Sequence, residues 1–299
     1  MPAGAPVRRR GHTSAADVRA RASGRRCARP PATGHQPPGV RAPGDVLVRA
    51  VQAALDELRR GPGRRDSRAE RLGLAAQDVG CGAGRAVAEP AGRGVHAVGV
   101  DPGPRMPAAA RERWPAVEFR AAGAEDLPFA DGSVRGYRAD TVLHILSEPE
   151  RAMAEARRVL APGGRIVLTG QDRDASVIDA DDAALTRTIV HACAGGLGSP
   201  RVARRYRNLL LDSGFDDVTV EMHAHVFTDA AMPPLLAGLA DGACASGAVD
   251  RDRADDWLAE QRRRAEADRG LFATPIFMAA ASVPASVPAQ APPRACSEW

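Results

Sequence analysis

The chain has 299 residues, 44% of them apolar, with five cysteines and a formal net charge of +4. It is long and apolar enough to bury a full core in one or two domains. The cysteines are scattered and form no Cys-x-x-Cys pair, so the sequence indicates neither a disulfide framework nor a metal site. No apolar run reaches the roughly 18–20 residues of a membrane span, and the Arg-rich start lacks the apolar segment of a secretory signal. We therefore expect a soluble, cytoplasmic protein that is not bound to a membrane.

The positive charge is confined to the N-terminal part of the chain. Residues 1–71 contain 16 Arg and 6 acidic residues, whereas residues 72–299 contain 25 Arg and 31 acidic residues. The basic part has no interleaved aromatic residues on which bases could stack, which argues against a nucleic acid partner. A phosphate-binding tail is the alternative.

Both ends of the chain are predicted to be disordered. Residues 1–44 are rich in Arg, Pro and Gly and have almost no large apolar side chains, so they cannot offset the entropy of ordering. An organellar transit peptide is the alternative for this arm. The helical spacing of apolar residues in 46–58 marks the start of the folded part, which we place at residues 45–282, with a disordered tail at 283–299.

Strands and helices alternate through the middle of the chain. The predicted strands are Ala75–Val79, Val95–Val100, Val117–Ala121, Gly136–Ala139 and Arg165–Thr169. The segments Pro107–Arg113 and Glu148–Leu160 between them are predicted helices, the second ended by APGG. Such alternation predicts an α/β fold, a parallel sheet with helices on both faces. In these folds ligands bind outside the carboxyl ends of the strands.

A glycine-rich turn, DVGCGAG, follows the first predicted strand at Asp78–Gly84. A dinucleotide-binding turn would need a third glycine at position 85, which is Arg85. The alternate glycines instead suit a ligand whose amino acid part presses against bare backbone. Asp101, at the end of the second strand, can accept both hydroxyls of a ribose; a helix N-cap is its alternative role.

The run from Asp78 to Thr169, which includes VEFRAAGAEDLPFADGSV and EARRVLAPGGRIVLT, resembles class I S-adenosylmethionine-dependent methyltransferases. The similarity is strongest to the small-molecule group typified by quinone-biosynthesis and antibiotic-tailoring enzymes. It implies a doubly wound, mostly parallel seven-stranded sheet with an antiparallel last strand. It also implies S-adenosyl-L-methionine as cofactor and methyl transfer to a small organic acceptor in secondary-metabolite or quinone-type biosynthesis.

The resemblance also implies roles for individual residues. Asp78 would hold the ammonium group of the cofactor, and Ala139 would approach its sulfonium. Gly123 stands where relatives usually have Asp, within the segment that would contact the adenine. The remaining implied contacts are Gly80, Cys81 and Gly82 along the methionine part, Asp101 at the ribose, Pro102 and Met106 near the adenosine, and Ala124 and Glu125 flanking the adenine.

The segments after the fifth strand are expected to form a lid over the acceptor, from insertions near 171–199 and 229–270. If the acceptor is a hydroxyl, the candidate bases are His144 and Asp172. His144 has a packing role as its alternative, and Asp172 an orienting role toward acceptor or lid. His223 and His225 share one face of a predicted strand, which favours a solvated face over a metal site.

Two departures from the family pattern bear on activity. Pro90 falls inside the helix after the glycine turn, which is therefore expected to be short or kinked. Gln77 occupies a normally apolar position in the first strand. Besides the methyltransferase, a non-catalytic methyltransferase-like binding module and a nucleotide-dependent oxidoreductase remain as hypotheses, the last opposed by Arg85. Homodimer formation is left open.

Overall fold

The computed structural model of this chain describes residues 75–92, 94–228 and 232–285. The predicted arm at 1–44, the helical segment at 46–58 and most of the predicted tail lie outside the described residues. Among the residues that are described, no helix is long and apolar enough to cross a membrane.

An eight-stranded sheet organises the described part of the chain. The first five strands are mutually parallel in the order β3-β2-β1-β4-β5, and β8 continues the sheet antiparallel to β5. β6 and β7 both pair with β8. The strands are β1 Ala75–Val79, β2 Ala97–Asp101, β3 Glu118–Ala121, β4 Val134–Asp140, β5 Leu160–Gln171, β6 Val177–Ile178, β7 Asp216–Phe227 and β8 Phe272–Ser282. The prediction of a mostly parallel α/β sheet with an antiparallel last strand is confirmed, and the eighth strand is the two-residue β6.

Helices pack on both faces of this sheet because alternate strand residues point to opposite sides. In β2, Ala97 joins a small core with residues of α1 and α2, whereas Val98 joins the main core beneath α3 and α5. The helices are α1 Arg85–Ala91, α2 Arg105–Arg113, α3 Pro149–Val159, α4 Ala183–Gly195, α5 Tyr206–Asp212, α6 Met232–Ala245 and α7 Arg251–Glu266. Two short 3₁₀ turns, η1 Leu143–Ile145 and η2 Val202–Arg205, complete the set.

The helices α4, α6 and α7 come from the two predicted insertions and share a third apolar core. At its centre Trp257 is buried and its indole Nε1 donates to Thr186 Oγ1 at 2.9 Å. Asp182 and Asp250 begin α4 and α7 by accepting backbone N–H groups of the first turn. The predicted insertions therefore fold into one helical layer, and its action as a lid remains a prediction.

The APGG sequence does not form the loop expected between α3 and the fifth strand. β5 begins at Leu160, which pairs with Val134, and a register shift separates this pair from Gly136 and Arg165. Gly163 has a φ of 73° and its N–H bonds to the carbonyl of Val283. A bulged strand start replaces the loop, because neighbouring segments of the same chain form hydrogen bonds with these backbone groups.

The two departures seen in the sequence are both visible in the fold. α1 has only seven residues, and Pro90 lies in its last turn, so the expected short helix is confirmed. Gln77 is 2% exposed, and neither its amide nitrogen nor its amide oxygen has a hydrogen-bond partner. An unsatisfied buried amide is destabilising, because the unfolded chain would bond it to water.

We expect Gln77→Leu to raise the free energy of unfolding by about 1–3 kcal/mol, since it removes two unsatisfied polar atoms at similar volume. Urea denaturation measures this change. Gln261→Leu is the matched control: Gln261 is fully buried too, but its amide nitrogen donates to the Asp179 carbonyl at 3.2 Å. The control variant should be less stable than the wild type. Equal destabilisation by both substitutions would show that Gln77 has a hydrogen-bond partner in solution.

Candidate functional site

The three glycines of the turn have positive φ angles, 71° at Gly80, 50° at Gly82 and 79° at Gly84. A β-carbon at Gly80 would overlap the side chain of Val142, and one at Gly84 would overlap the ring of Phe119. At Gly82 an added β-carbon would meet no atom within 4 Å. Two of the glycines are therefore required by packing, and Gly82 alone presents bare backbone to open space.

Asp101 ties this turn to the second strand. One carboxylate oxygen accepts the N–H of Gly82 at 3.1 Å, and the other accepts the N–H of Gly103 at 3.0 Å. The N-cap of α2 is Pro104, so Asp101 does not cap that helix. Because each carboxylate oxygen can accept about two hydrogen bonds, both oxygens keep capacity for a further donor.

Cys81 lies between these residues with its side chain in the small core. The residue is buried and packs with Val87 and Phe119. Burial, aided by the negative charges of Asp78 and Asp101, raises the pKa of the Cys81 thiol to about 12. The group is therefore a neutral packing side chain at pH 7 and not a nucleophile.

A buried ion cluster crosses the sheet beside the turn. Arg138 on β4 is the register partner of Asp78 on β1, and its guanidinium lies 2.8 Å from carboxylate oxygens of both Asp78 and Asp140. The side chains of Asp78 and Arg138 are about one-tenth exposed. Burial raises the pKa of Asp78 to about 6 although Arg138 opposes the shift. With both carboxylates ionised the cluster carries one net negative charge.

The loops predicted to hold the adenosine lie next to each other at the carboxyl ends of β2 and β3. The N–H of Ala122 bonds to the carbonyl of Asp101 at 3.2 Å, which brings the loop of Ala124 and Glu125 to the side of the β2 loop. Pro102 is exposed, and Met106 is 48% exposed on α2.

Three further positions qualify the predicted adenine and sulfonium contacts. Ala124 is buried in the main core and Glu125 is half-buried. Ala139 is fully buried in that core, so its backbone is the part left to face a ligand. A β-carbon at Gly123 would meet only the Glu125 nitrogen at 4.0 Å, so the position has room for a side chain.

His144 follows β4 in η1 and is buried, with a ring nitrogen, Nδ1, that has no partner. Burial, and then the nearby Arg173 guanidinium, lower the pKa of His144 to about 4. A His144 base would therefore not ionise near the ordinary histidine value. The imidazole is neutral throughout the physiological range, and protonating it costs more than in an exposed histidine.

Asp172 is 1% exposed and its carboxylate is fully engaged by protein groups. It forms two hydrogen bonds with the guanidinium of Arg204 and accepts the N–H of Asp174 at 3.1 Å. Asp172 thus fastens η2 to the end of β5, which favours the orienting role over that of a base.

The two histidines of β7 are not part of a metal site in this structure. His223 lies 3.3 Å from the Glu221 carboxylate, and both side chains are well exposed. Across the described ranges no group of three or more His, Cys, Asp or Glu side chains could hold a metal ion.

A cavity that sequence reasoning did not foresee lies beyond β5. Its volume is about 320 Å³, and it is bounded by β5, β8, α4 and α6. The Arg of GQDRD, Arg173, is its charged wall residue. That arginine lies four residues beyond the predicted strand end at Thr169, which was the available sequence signal, but its apolar neighbours come from segments 21 to 99 residues away.

Residues 77–168, which contain the turn, Asp101, the ion cluster and His144, match the family model of the methyltransferase domain. This part of the chain is similar to the methyltransferase-domain family. The match begins within β1 and ends within β5, so it covers the parallel half of the sheet and leaves the helical layer outside it.

The chain is also similar to several curated proteins. An uncharacterized 37.1 kDa protein in transposon TN4556 of Streptomyces fradiae is 37% identical over 180 residues, which are 56% of this chain and 51% of that protein. A demethylmenaquinone methyltransferase of Renibacterium salmoninarum is 35% identical over 91 residues, 30% of this chain and 38% of that protein. The chain thus spans about half or less of the length of these relatives.

One of the solved structures that are similar to this chain is Haemonchus contortus phosphoethanolamine N-methyltransferase 2 in complex with S-adenosyl-L-methionine. It is 19% identical to this chain, with a TM-score of 0.48, and the match covers 79% of this chain and 52% of that one.

Proposed function

We propose that the protein binds S-adenosyl-L-methionine and transfers its methyl group to a small organic acceptor. The observation that carries the proposal is the open backbone of Gly82, fixed by the Asp101 carboxylate inside the matched methyltransferase domain. The residues fit this cofactor: Gly82 leaves room for its amino acid part, and both oxygens of Asp101 can accept a ribose hydroxyl.

Charge supports the sulfonium cofactor over a dinucleotide. Asp78 begins the turn, Asp101 accepts the N–H of Gly82, and Asp140 shares the Arg138 guanidinium with Asp78, so among these side chains only Arg138 compensates three carboxylates. A ligand with an ammonium and a sulfonium group is attracted by this excess of negative charge, whereas a pyrophosphate would be repelled. The same charges disfavour the oxidoreductase hypothesis.

The cofactor supplies a methyl group on sulfonium sulfur, which is already a good electrophile, so the protein has to bind and align the acceptor. Asp101 would hold the ribose hydroxyls, and Asp78 would share its carboxylate between Arg138 and the ammonium group of the cofactor. The helical layer of α4, α6 and α7 shields the acceptor from water. Neutral His144 is the group that accepts a proton where the acceptor is a hydroxyl.

Titration calorimetry with S-adenosylmethionine, S-adenosylhomocysteine and NAD tests the proposal. We expect saturable heats with the first two ligands and none with NAD. Binding of NAD without binding of the sulfonium cofactor would overturn it. Cofactor binding with no methyl transfer to any of a panel of quinols, phenols and organic acids would favour the non-catalytic binding module instead.

Two observations bear on the chemical class of the acceptor. Demethylmenaquinone methyltransferases are among the similar proteins, and the cavity beyond β5 has a mainly apolar wall that suits a ring system or short hydrocarbon. We therefore propose an acceptor of quinone-like or secondary-metabolite type.

We expect the His144 imidazole to stay neutral down to about pH 4. In a proton NMR titration its ring signals, assigned by their absence from His144→Gln, should not shift between pH 8 and pH 5.5. The depressed pKa means that the stability contributed by neutral His144 is complete above about 6.5 and is lost as the pH falls toward 4. Methyl transfer that used His144 would be independent of pH above about 5.5. A ring titrating near 6.5 would contradict the buried placement.

A further inference from the structure

The cavity beyond β5 combines apolar walls with one positive charge. The rings of Phe227 and Phe272 stack with centroids 5.4 Å apart at one side, and Leu235 and Leu239 of α6 lie at another. Arg173 is the charged residue among the side chains that line it. A cavity of about 320 Å³ with few polar groups is of the size that holds a small organic molecule.

Arg173 has no carboxylate partner among the residues that the structure describes, because its acidic neighbours are used elsewhere. Asp172 is paired with Arg204, and Asp174 is paired with Arg201 at 2.8 Å. The Nε of Arg173 is buried and makes no hydrogen bond. A partly buried guanidinium without an anion is unfavourable, so an anionic ligand that binds in the cavity would offset this cost.

The other polar groups at the cavity do not compete for this cation. Gln171, Ser176 and Thr274 are uncharged, and burial raises the pKa of the Cys193 thiol so that it stays protonated. His144, whose pKa Arg173 helps to lower, is neutral at pH 7. The positive charge of Arg173 is therefore left for a bound molecule.

We propose that the acceptor is an apolar organic acid whose anionic group binds Arg173 while its hydrocarbon part lies against Phe227 and Phe272. This inference rests on the proposed function and narrows its acceptor, from any molecule of quinone-like or secondary-metabolite type to one that carries an acid group. The cavity begins at Gln171, two residues beyond Thr169, which is the register partner of Asp140 in the ion cluster. The acceptor is thus held at the same edge of the sheet as the glycine turn.

Two ligands have a carboxylate suited to Arg173: the acceptor, and the amino acid part of the cofactor. The proposal commits to the acceptor. The test therefore measures cofactor and acid separately in each variant.

Calorimetry with 1-naphthoate and its uncharged analogue 1-naphthamide tests the proposal in the full chain. We expect naphthoate to bind about 10- to 100-fold more tightly than naphthamide, the gain of a charged hydrogen-bonded pair. Arg173→Gln should remove this preference. The control Arg187→Gln changes the same charge at an exposed position of the neighbouring helix α4 and should keep it.

A second variant locates the ligand without removing charge. Gly238 lies on α6 at the cavity, and an added β-carbon there would meet no atom within 4 Å. Gly238→Leu should weaken both probes at least about tenfold while the thermal midpoint holds or rises, because glycine is unfavourable inside a helix. A stable variant with unchanged probe affinity would place the ligand elsewhere and overturn the proposal.

The outcomes separate this inference from the proposed function. Failure of the wild type to prefer naphthoate, or a preference that survives Arg173→Gln, overturns the inference even where S-adenosylmethionine binds normally. Naphthoate preference without any cofactor binding leaves the cavity assignment intact and refutes the methyltransferase. Loss of cofactor affinity in Arg173→Gln equal to the loss for naphthoate would assign Arg173 to the cofactor carboxylate, and so overturn the acceptor proposal.

Discussion

Gly82→Val is expected to weaken S-adenosylmethionine binding by at least about 100-fold, or about 2.7 kcal/mol. A β-branched side chain at this position would fill the open space in which the turn backbone meets the ligand. Calorimetry gives the affinity, and far-ultraviolet circular dichroism should stay unchanged, since an added β-carbon meets no other part of the protein.

The substitution also strains the backbone, because the φ of Gly82 is 50° and valine rarely adopts positive values. Gly214→Val is the matched control: Gly214 has a φ of 75°, open space around an added β-carbon, and a place in the turn before β7. Each substitution should lower the free energy of unfolding by about 1–3 kcal/mol. Only Gly82→Val should lose the cofactor. Normal cofactor affinity in that variant would refute the assignment of the turn.

Arg138→Met is expected to lower the free energy of unfolding at pH 7 by about 3–5 kcal/mol. It removes the guanidinium that lies 2.8 Å from both Asp78 and Asp140, and so leaves two carboxylates in a nearly water-free part of the sheet. Urea denaturation at several pH values measures the loss. The double variant Arg138→Met with Asp78→Leu should recover part of it, because one of the stranded charges is then gone.

The pH dependence of this loss has a definite sign. The pKa of Asp78 is raised from its ordinary value to about 6 in the wild type, and removal of Arg138 raises it further. A raised carboxyl pKa means that the folded state takes up a proton before the unfolded state does, so stability falls as the pH rises through that pKa. The deficit of Arg138→Met should therefore shrink as the pH is lowered from 7 to 5.

The exposed pair of Arg151 and Glu148 provides the control for ion-pair loss. Both side chains are 61% exposed, so Arg151→Met should leave the stability at its wild-type value within error, because water screens such pairs. A loss in Arg138→Met no larger than in Arg151→Met would show that the cluster of Asp78, Arg138 and Asp140 is solvated in solution.

Features that depend on local periodicity could be predicted from the sequence. β1 has the predicted bounds, β2 to β4 lie within a few residues of the predicted ones, and Pro90 ends α1 early as expected. The glycine turn and Asp101 could also be read from the sequence, because the turn needs positive φ angles and Asp101 ends the neighbouring strand. These features lie in short segments whose conformation is set by nearby residues.

The contacts between distant side chains could not be predicted from the sequence, because they depend on how the strands and helices pack. Gly80, Gly82 and Gly84 look equivalent in the sequence, yet Val142 and Phe119 occupy the space beside two of them and leave Gly82 open. Asp78 was expected to hold the ammonium group of a ligand, and strand register also sets Arg138, 60 residues away, against it.

Arg173 was likewise one Arg among many in the sequence. It became a candidate anion site only because Arg204 and Arg201 take the carboxylates on either side of it. Side-chain pairing of this kind depends on how distant strands and helices align. Two oppositely charged residues that are adjacent in sequence often point to opposite sides of the chain, so adjacency alone does not pair them. Local sequence therefore specifies the elements, whereas register and packing decide the charges that remain for a ligand.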